Sequence, residues 1–158
     1  MKVLKNSIIN KGFTLIEVLV VIGIIAVLAS VALVAINPAR QFKLARDLQR
    51  NTNLSALLDA INQNMSEHKG VFVCNGENTE LPSTETRVKS SLSASAGHIS
   101  NCLVPNYISS LPYDPSMSGA YWKGKDDYDT GYSILVNADG RLEARASGEL
   151  ESLIVVER

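Results

Sequence analysis

Residues 11–36 read KGFTLIEVLVVIGIIAVLASVALVAI, and this stretch decides the fold class. From 13 to 36 it holds a single ionisable group, Glu17. At 1.5 Å per residue the run spans roughly 36 Å as a helix, enough to cross a hydrocarbon core of ~30 Å with some tilt. Its many Val and Ile residues do not oppose a helix there, because lipid leaves the backbone nothing to bond but itself. The expectation is a transmembrane helix over 13–36.

Working outward, the preceding segment carries Lys2, Lys5 and Lys11 and no acid. Of the 15 Lys and Arg residues, 12 therefore follow Gly12, against all 16 Asp and Glu. The remainder is net −4, which the whole-chain charge of −1 conceals. With a pI near 6.1, no global basic field argues for nucleic acid. A short basic head before an acidic remainder reads as a targeting segment. Charge does not orient the span, since Arg40, Lys43, Arg46 and Arg50 follow it, offset only by Asp47. At 158 residues the chain has room for one domain plus an anchor.

Glu17 is the informative residue of the span. A carboxylate is costly at a bilayer centre and less so near an interface, and Glu17 lies only ~6 Å in from Phe13 along a helix axis. One reading is an interfacial or protonated acid without a role. The other is a carboxylate whose positive partner arrives only on assembly.

Lys11-Gly12-Phe13-Thr14-Leu15-Ile16-Glu17 resembles the processing site of type IV prepilins and type II secretion pseudopilins. A short basic leader, Gly, a methylatable Phe and a Glu fifth after the cut occur in order, fused to a long apolar helix. The resemblance implies that a prepilin peptidase cleaves between Gly12 and Phe13 on the cytoplasmic face and methylates the new amine of Phe13. It implies a leader inside and everything beyond about Ile36 outside. A terminal amine, which ordinarily titrates near pH ~8, would be largely protonated at neutral pH and able to meet Glu17 of a neighbouring copy. An unpaired partner would be strongly unfavourable, so the pair would favour one axial register. Two competing readings are a secretory signal cut near Ser30-Val31-Ala32 and a plain single-pass anchor. The run is longer than an ordinary signal core and carries Glu17.

With that topology, Cys74 and Cys102 lie in an oxidising compartment, where an even pair is read as a disulfide; in the cytosol they would be free thiols. Beyond the span, Pro38 should kink or loosen the helix. Pilin-like chains usually carry such a proline earlier. Leu54, Leu57, Leu58, Ile61 and Met65 then form an i, i+3, i+4, i+7 stripe. One helix running from 13 to the mid-sixties is the simplest reading, ended by Gly70. The cluster Arg40, Lys43, Arg46 and Arg50 reads as a solvated face near lipid phosphates, or as one pairing with acids of other subunits.

From residue 71 the pattern becomes extended. Strands are expected at 71–74, 120–123, 131–137, 141–146 and 153–156, with a hairpin at Asn137-Ala138-Asp139-Gly140. Residues 77–98 read as loop, with a short helix over 84–95. Residues 106–115, NYISSLPYDP, read as a turn-rich connection. YISSLPYDP and TGYSILVNADGRLEARA also look like the C-terminal half of many pilin-like subunits. The expected fold is α+β: a long N-terminal helix, apolar half transmembrane and second half amphipathic, packed on a small antiparallel β-sheet as a pilin-like roll. The expected domains are a leader at 1–12, a transmembrane or filament-core helix at 13–36, its amphipathic continuation at 37–69, and an extracytoplasmic β-rich domain at 70–158.

Other chemistry is thin. Asp126, Asp127 and Asp129 crowd one loop, and some secretion pseudopilins bind calcium in a comparable place. Ca²⁺ wants six to eight oxygens, so a solvated acidic loop is the favoured reading. His68 and His98 are isolated, and no catalytic spacing or phosphate-cradling glycine loop occurs, so no catalytic residue, metal or cofactor is expected. Asn53 and Asn64 head glycan sequons that fall in the helix and read as coincidence. Trp122, beside Lys123 and Lys125, is weak support for ligand stacking. The expected function is a non-enzymatic subunit that polymerises into a type IV pilus or pseudopilus. Its expected partners are copies of itself, the prepilin peptidase, the assembly platform and the membrane. It would sit in the inner membrane first and in a surface or periplasmic filament afterwards. The alternative is a membrane-anchored minor subunit or binding module recognising DNA or a surface.

Overall fold

A computed structural model describes residues 12–90 and 98–158. The leader, apart from Gly12, and residues 91–97, which include 91–95 of the expected 84–95 helix, lie outside the described residues. The chain divides into two compact units at Gln41/Phe42, within a helix.

The first unit holds helix α1, Leu15–Ile36. Thr14 caps it: the Thr14 hydroxyl accepts the Glu17 N–H at 3.2 Å, and the Glu17 carboxylate accepts the Thr14 N–H at 3.5 Å. This reciprocal capping box satisfies two of the first turn's orphan donors. None of α1's residues is buried, and its apolar side chains are exposed on every face. A helix that is apolar all round requires a cover of lipid or protein. By length and composition α1 can cross a membrane.

The single helix expected over 13–65 is interrupted at Asn37. Asn37 takes a left-handed conformation (φ 47°, ψ 75°), which Asn tolerates better than most residues. Helix α2, Pro38–Glu67, restarts at once. Pro38 occupies its first position, where a missing N–H costs nothing, and the Asn37 side chain accepts the Arg40 N–H at 3.3 Å. One residue therefore ends α1 and caps α2. At the far end the Gly70 N–H returns to the Met65 carbonyl at 2.8 Å, and Gly70 adopts φ +88°. Such a left-handed closure satisfies the last carbonyls, as the glycine's position leads one to expect.

In the second unit, Leu54, Leu57, Leu58 and Ile61 of α2 are fully buried, with Met65 partly so, as the stripe predicts. Each such burial contributes about 1.5–3 kcal/mol. They pack in one core with residues of a five-stranded antiparallel sheet: β3 (Thr86–Lys89), β4 (Tyr121–Gly124), β5 (Asp127–Val136), β6 (Leu142–Ala146) and β7 (Ile154–Glu157). The order is β3-β5-β6-β7, with β4 also paired to β5. Asp129 pairs with both Lys89 and Tyr121, and Ile134 with both Thr86 and Ala144. So β3 lies along one edge of β5, while β4 and β6 follow one another along the other. Tyr132 and Ile134 face the core as their alternation predicts, and the 137–140 turn joins β5 to β6. A two-stranded ribbon, β1 (Val73–Cys74) with β2 (Glu77–Asn78), and a short helix α3 (Ser100–Leu103) complete the unit.

One expectation is corrected. Thr86–Lys89, assigned to a helix from its Ser/Thr/Ala-rich setting, is strand β3. Val88 from it is fully buried in the core.

The Cys74–Cys102 disulfide is formed and ties β1 to α3 across a sequence separation of 28. Asn64 reinforces the same corner. Its side chain accepts the Val73 N–H and donates to the Val73 carbonyl, both at 2.9 Å. Loop entropy puts the disulfide at about 3–4 kcal/mol. A Cys74→Ala/Cys102→Ala chain should therefore unfold at a markedly lower urea concentration, whereas an unchanged midpoint would contradict that role.

Candidate assembly site and the buried charge network

Gly12 and Phe13 precede α1 in exposed chain, and Phe13 is 81% exposed. The Gly12–Phe13 bond therefore lies outside any described helix or strand. Glu17 is exposed, and among the described residues it enters no ion pair; its carboxylate is turned back on the Thr14 N–H. Cys74 and Cys102, the remaining pair singled out, are joined elsewhere in the second unit. Gly12, Phe13 and Glu17 are thus gathered at one helix start.

The basic cluster behaves differently from its expected solvated face. Arg40 and Lys43 are exposed, but Arg50 is buried at 3% exposure. Its guanidinium donates to both Asp114 oxygens at 2.7 and 3.0 Å, to Asp47 at 2.7 Å and to the Ser116 hydroxyl at 2.7 Å. Arg46 makes a two-pronged pair with Glu149, one arm at 2.6 Å. Asp47 also accepts the N–H groups of Glu149 and Leu150 at 2.9 and 2.8 Å. Asp114 accepts those of Ser116 and Met117 at 2.9 and 2.7 Å. Two surface loops are thereby clamped to α2. Forked guanidinium–carboxylate geometry with satisfied lone pairs is what makes burial of such charges tolerable.

The sequence held a signal for this network. Arg50 and Asp47 continue the stripe of Leu54, Leu57 and Ile61 backwards by one and two turns, so charged residues sit on the core-facing side. Asp114 opens the Asp-Pro turn of the YDP segment. Close by, Gly131 adopts φ +78°, and a Cβ there would come within 2.9 Å of the Met117 sulfur and 3.1 Å of the Asp114 Cβ. Only glycine lets β5 pass the 114–117 loop so closely.

Burial drives Asp47 and Asp114 towards the neutral form. The hydrogen bonds just described, from Arg50 and from backbone N–H groups, outweigh it and hold both carboxyls below their usual range. The Arg46 bond brings Glu149 down to about 2, against a smaller opposing push from burial. These acids bind protons less readily folded than unfolded, so their contribution is complete above the ordinary carboxylate range near pH 4 and is lost as pH falls towards 2. Thermal midpoints should be flat from pH 7 to about 5 and fall steeply below about 4. A midpoint unchanged down to about pH 2.5 would contradict the network's role.

Asp126 and Asp127 are exposed, as the solvated reading expects, but Asp127 and Asp129 lie in β5 and not in a loop. Asp127 accepts the Tyr121 hydroxyl at 2.6 Å and pairs with Lys123 at 3.2 Å, while Asp129 pairs with Arg87 at 2.7 Å. Among the described residues no group of three His, Cys, Asp or Glu is arranged to hold a metal. Trp122 is half-buried against Tyr128, ring centres 5.3 Å apart, so its packing is accounted for within the fold. Asn53 donates to the Tyr132 hydroxyl at 2.9 Å, and Asn64 is buried.

An exposed apolar helix capped by Thr14 and Glu17, followed by a helix-on-sheet unit, is the α+β arrangement that the sequence resemblance implies. Residues 9–33 match the family described as the prokaryotic N-terminal methylation motif. The chain is 38% identical over 93 residues to prepilin peptidase-dependent protein D of Escherichia coli (strain K12). That match covers 58% of this chain and 62% of the relative, so the chain spans less than two thirds of the relative's length. No solved structure gives a significant match. Together these findings support a type IV pilin- or pseudopilin-like protein, and the apolar helix and motif fit membrane anchoring.

Proposed function

We propose that this protein is a structural, non-catalytic subunit that polymerises into a type IV pilus or related pseudopilus. The observation that carries this reading is α1: a 22-residue apolar helix with no buried residue, most of which lies within the matched methylation motif. In the proposed sequence of events, a prepilin peptidase removes residues 1–12 and methylates Phe13. Residues 13–36 hold the precursor in the inner membrane with residues 70–158 outside, the intervening segment 37–69 carrying α2. On assembly, delivered by a membrane platform, α1 exchanges lipid for the α1 helices of other copies. The Phe13 amine of one copy then meets Glu17 of another. A head-to-tail contact that closes no ring builds an open helical fibre.

Fibres sheared from cells expressing the chain, together with a prepilin peptidase and assembly platform, should consist mainly of this chain. Fibres in which it is a trace component would reduce it to a minor subunit, and complete absence would remove the structural role.

A further inference from the structure

Phe42 and Lys43 lie on the first turns of α2 and are both exposed, Phe42 at 64%. Arg46 and Arg50 further along are occupied by acids of their own chain, whereas Lys43 enters no ion pair among the described residues. The second unit thus begins with an uncovered aromatic beside an uncommitted cation. Towards the other end of α2 lies a groove of roughly 310 Å³. Met65, Phe72, Leu81, Val136 and Leu142 give it an apolar lining, and Glu80 stands at its rim, exposed and without an ion pair among the described residues. Asp139 adjoins Gly140 of the same wall. Arg158, the cation in that wall, bonds to Asp59 at 3.3 Å.

The aromatic and the groove are complementary in shape class and in charge, yet one chain cannot join them. Met65 follows Phe42 by 23 positions on one helix, a separation of roughly 35 Å. We propose that the groove receives Phe42 of a second copy, with that copy's Lys43 against Glu80. The contact rests on the polymerisation reading and gives it an outer interface in addition to the apolar helices. Its two halves lie at opposite ends of α2, so between copies running in the same direction, as the filament reading has them, the contact is heterologous and, where its rotation closes no ring, propagates along the α2 direction. An apolar anchor in a pocket with a charged pair at the rim is the usual division of labour in such interfaces, the rim pair favouring the correct partner and register.

The test uses the full chain in fibre-forming cells, comparing Lys43→Glu, Glu80→Lys and the double exchange. Each single reversal should lower sheared-fibre yield about tenfold, the effect of a contact weakened by about 1.4 kcal/mol, and the double exchange should restore it. A Lys43→Cys/Glu80→Cys chain, which keeps Phe42 as the anchor, should give a disulfide-linked ladder from oxidised fibres, since Glu80 lines the groove. Single reversals that assemble normally, a double exchange no better than the singles, or fibres without a ladder would overturn this contact while leaving the filament reading intact. A wild-type chain that forms no fibres would overturn both. Both charged residues are exposed, and unchanged thermal midpoints of the monomers would exclude misfolding as the cause.

Discussion

Arg50→Ala is expected to destabilise the second unit by about 3–5 kcal/mol, the range for removing one partner of a buried ion pair. Asp47 and Asp114, at 8% and 3% exposure, would keep their carboxylates in place without the cation that compensates them. For a unit of this size the loss is a large share of a typical total of about 5–15 kcal/mol. The consequence extends beyond stability, because Asp47 holds the loop bearing Glu149 against α2 and Arg50 holds the loop bearing Asp114 and Ser116. Asp114→Ala in the same background should cost much less than it does alone, since a partner already lost cannot be lost twice. Chemical denaturation of the wild type, the two single variants and the double variant measures this coupling. A single-variant loss below about 1 kcal/mol, in the range of exposed pairs, would show that the network is solvated.

Glu17→Ala should reduce fibre incorporation to background while leaving a folded, membrane-bound monomer. In the proposed filament the substitution would leave a neighbour's Phe13 cation unpaired among apolar helices, a penalty of several kcal/mol per contact, and each 1.4 kcal/mol is about tenfold. The capping box supplies a control. Glu17→Gln keeps a side chain able to accept the Thr14 N–H at the start of α1 but removes the charge. If charge pairing is the role of Glu17, the Gln chain should fail as the Ala chain does. Normal fibres from Gln but not Ala would assign Glu17 to helix capping, and normal fibres from Ala would refute an assembly role.

Which features are legible in the sequence follows the range of the interactions that make them. The β5–β6 hairpin rests on a four-residue turn with its own chemistry, Asn137 to Gly140, and is readable locally. The same holds for Leu54, Leu57, Leu58 and Ile61, whose spacing is a property of one helix. Thr86–Lys89 reads wrongly as helix because its strand exists through pairing with β5, some forty residues away, and nothing in its composition announces that partner. Sequence places the break at Pro38, one residue later than the observed turn at Asn37. Proline is the familiar breaker, but here it starts a helix, and the residue before it takes the left-handed turn. Arg50 misleads for a different reason. A charge on an amphipathic helix ordinarily marks the wet face, although the position of this one lies on the dry side. The methylation motif is legible without a fold, because it is a run of consecutive residues within 9–33.

The central claim is that a new positive terminus at Phe13 meets a lone carboxylate among packed copies of α1. Intact-mass and N-terminal peptide analysis of the subunit from sheared fibres tests it most directly. The expected result is a chain that begins at N-methylated Phe13. A fibre subunit that begins at Met1, or downstream of Ala32, would contradict it.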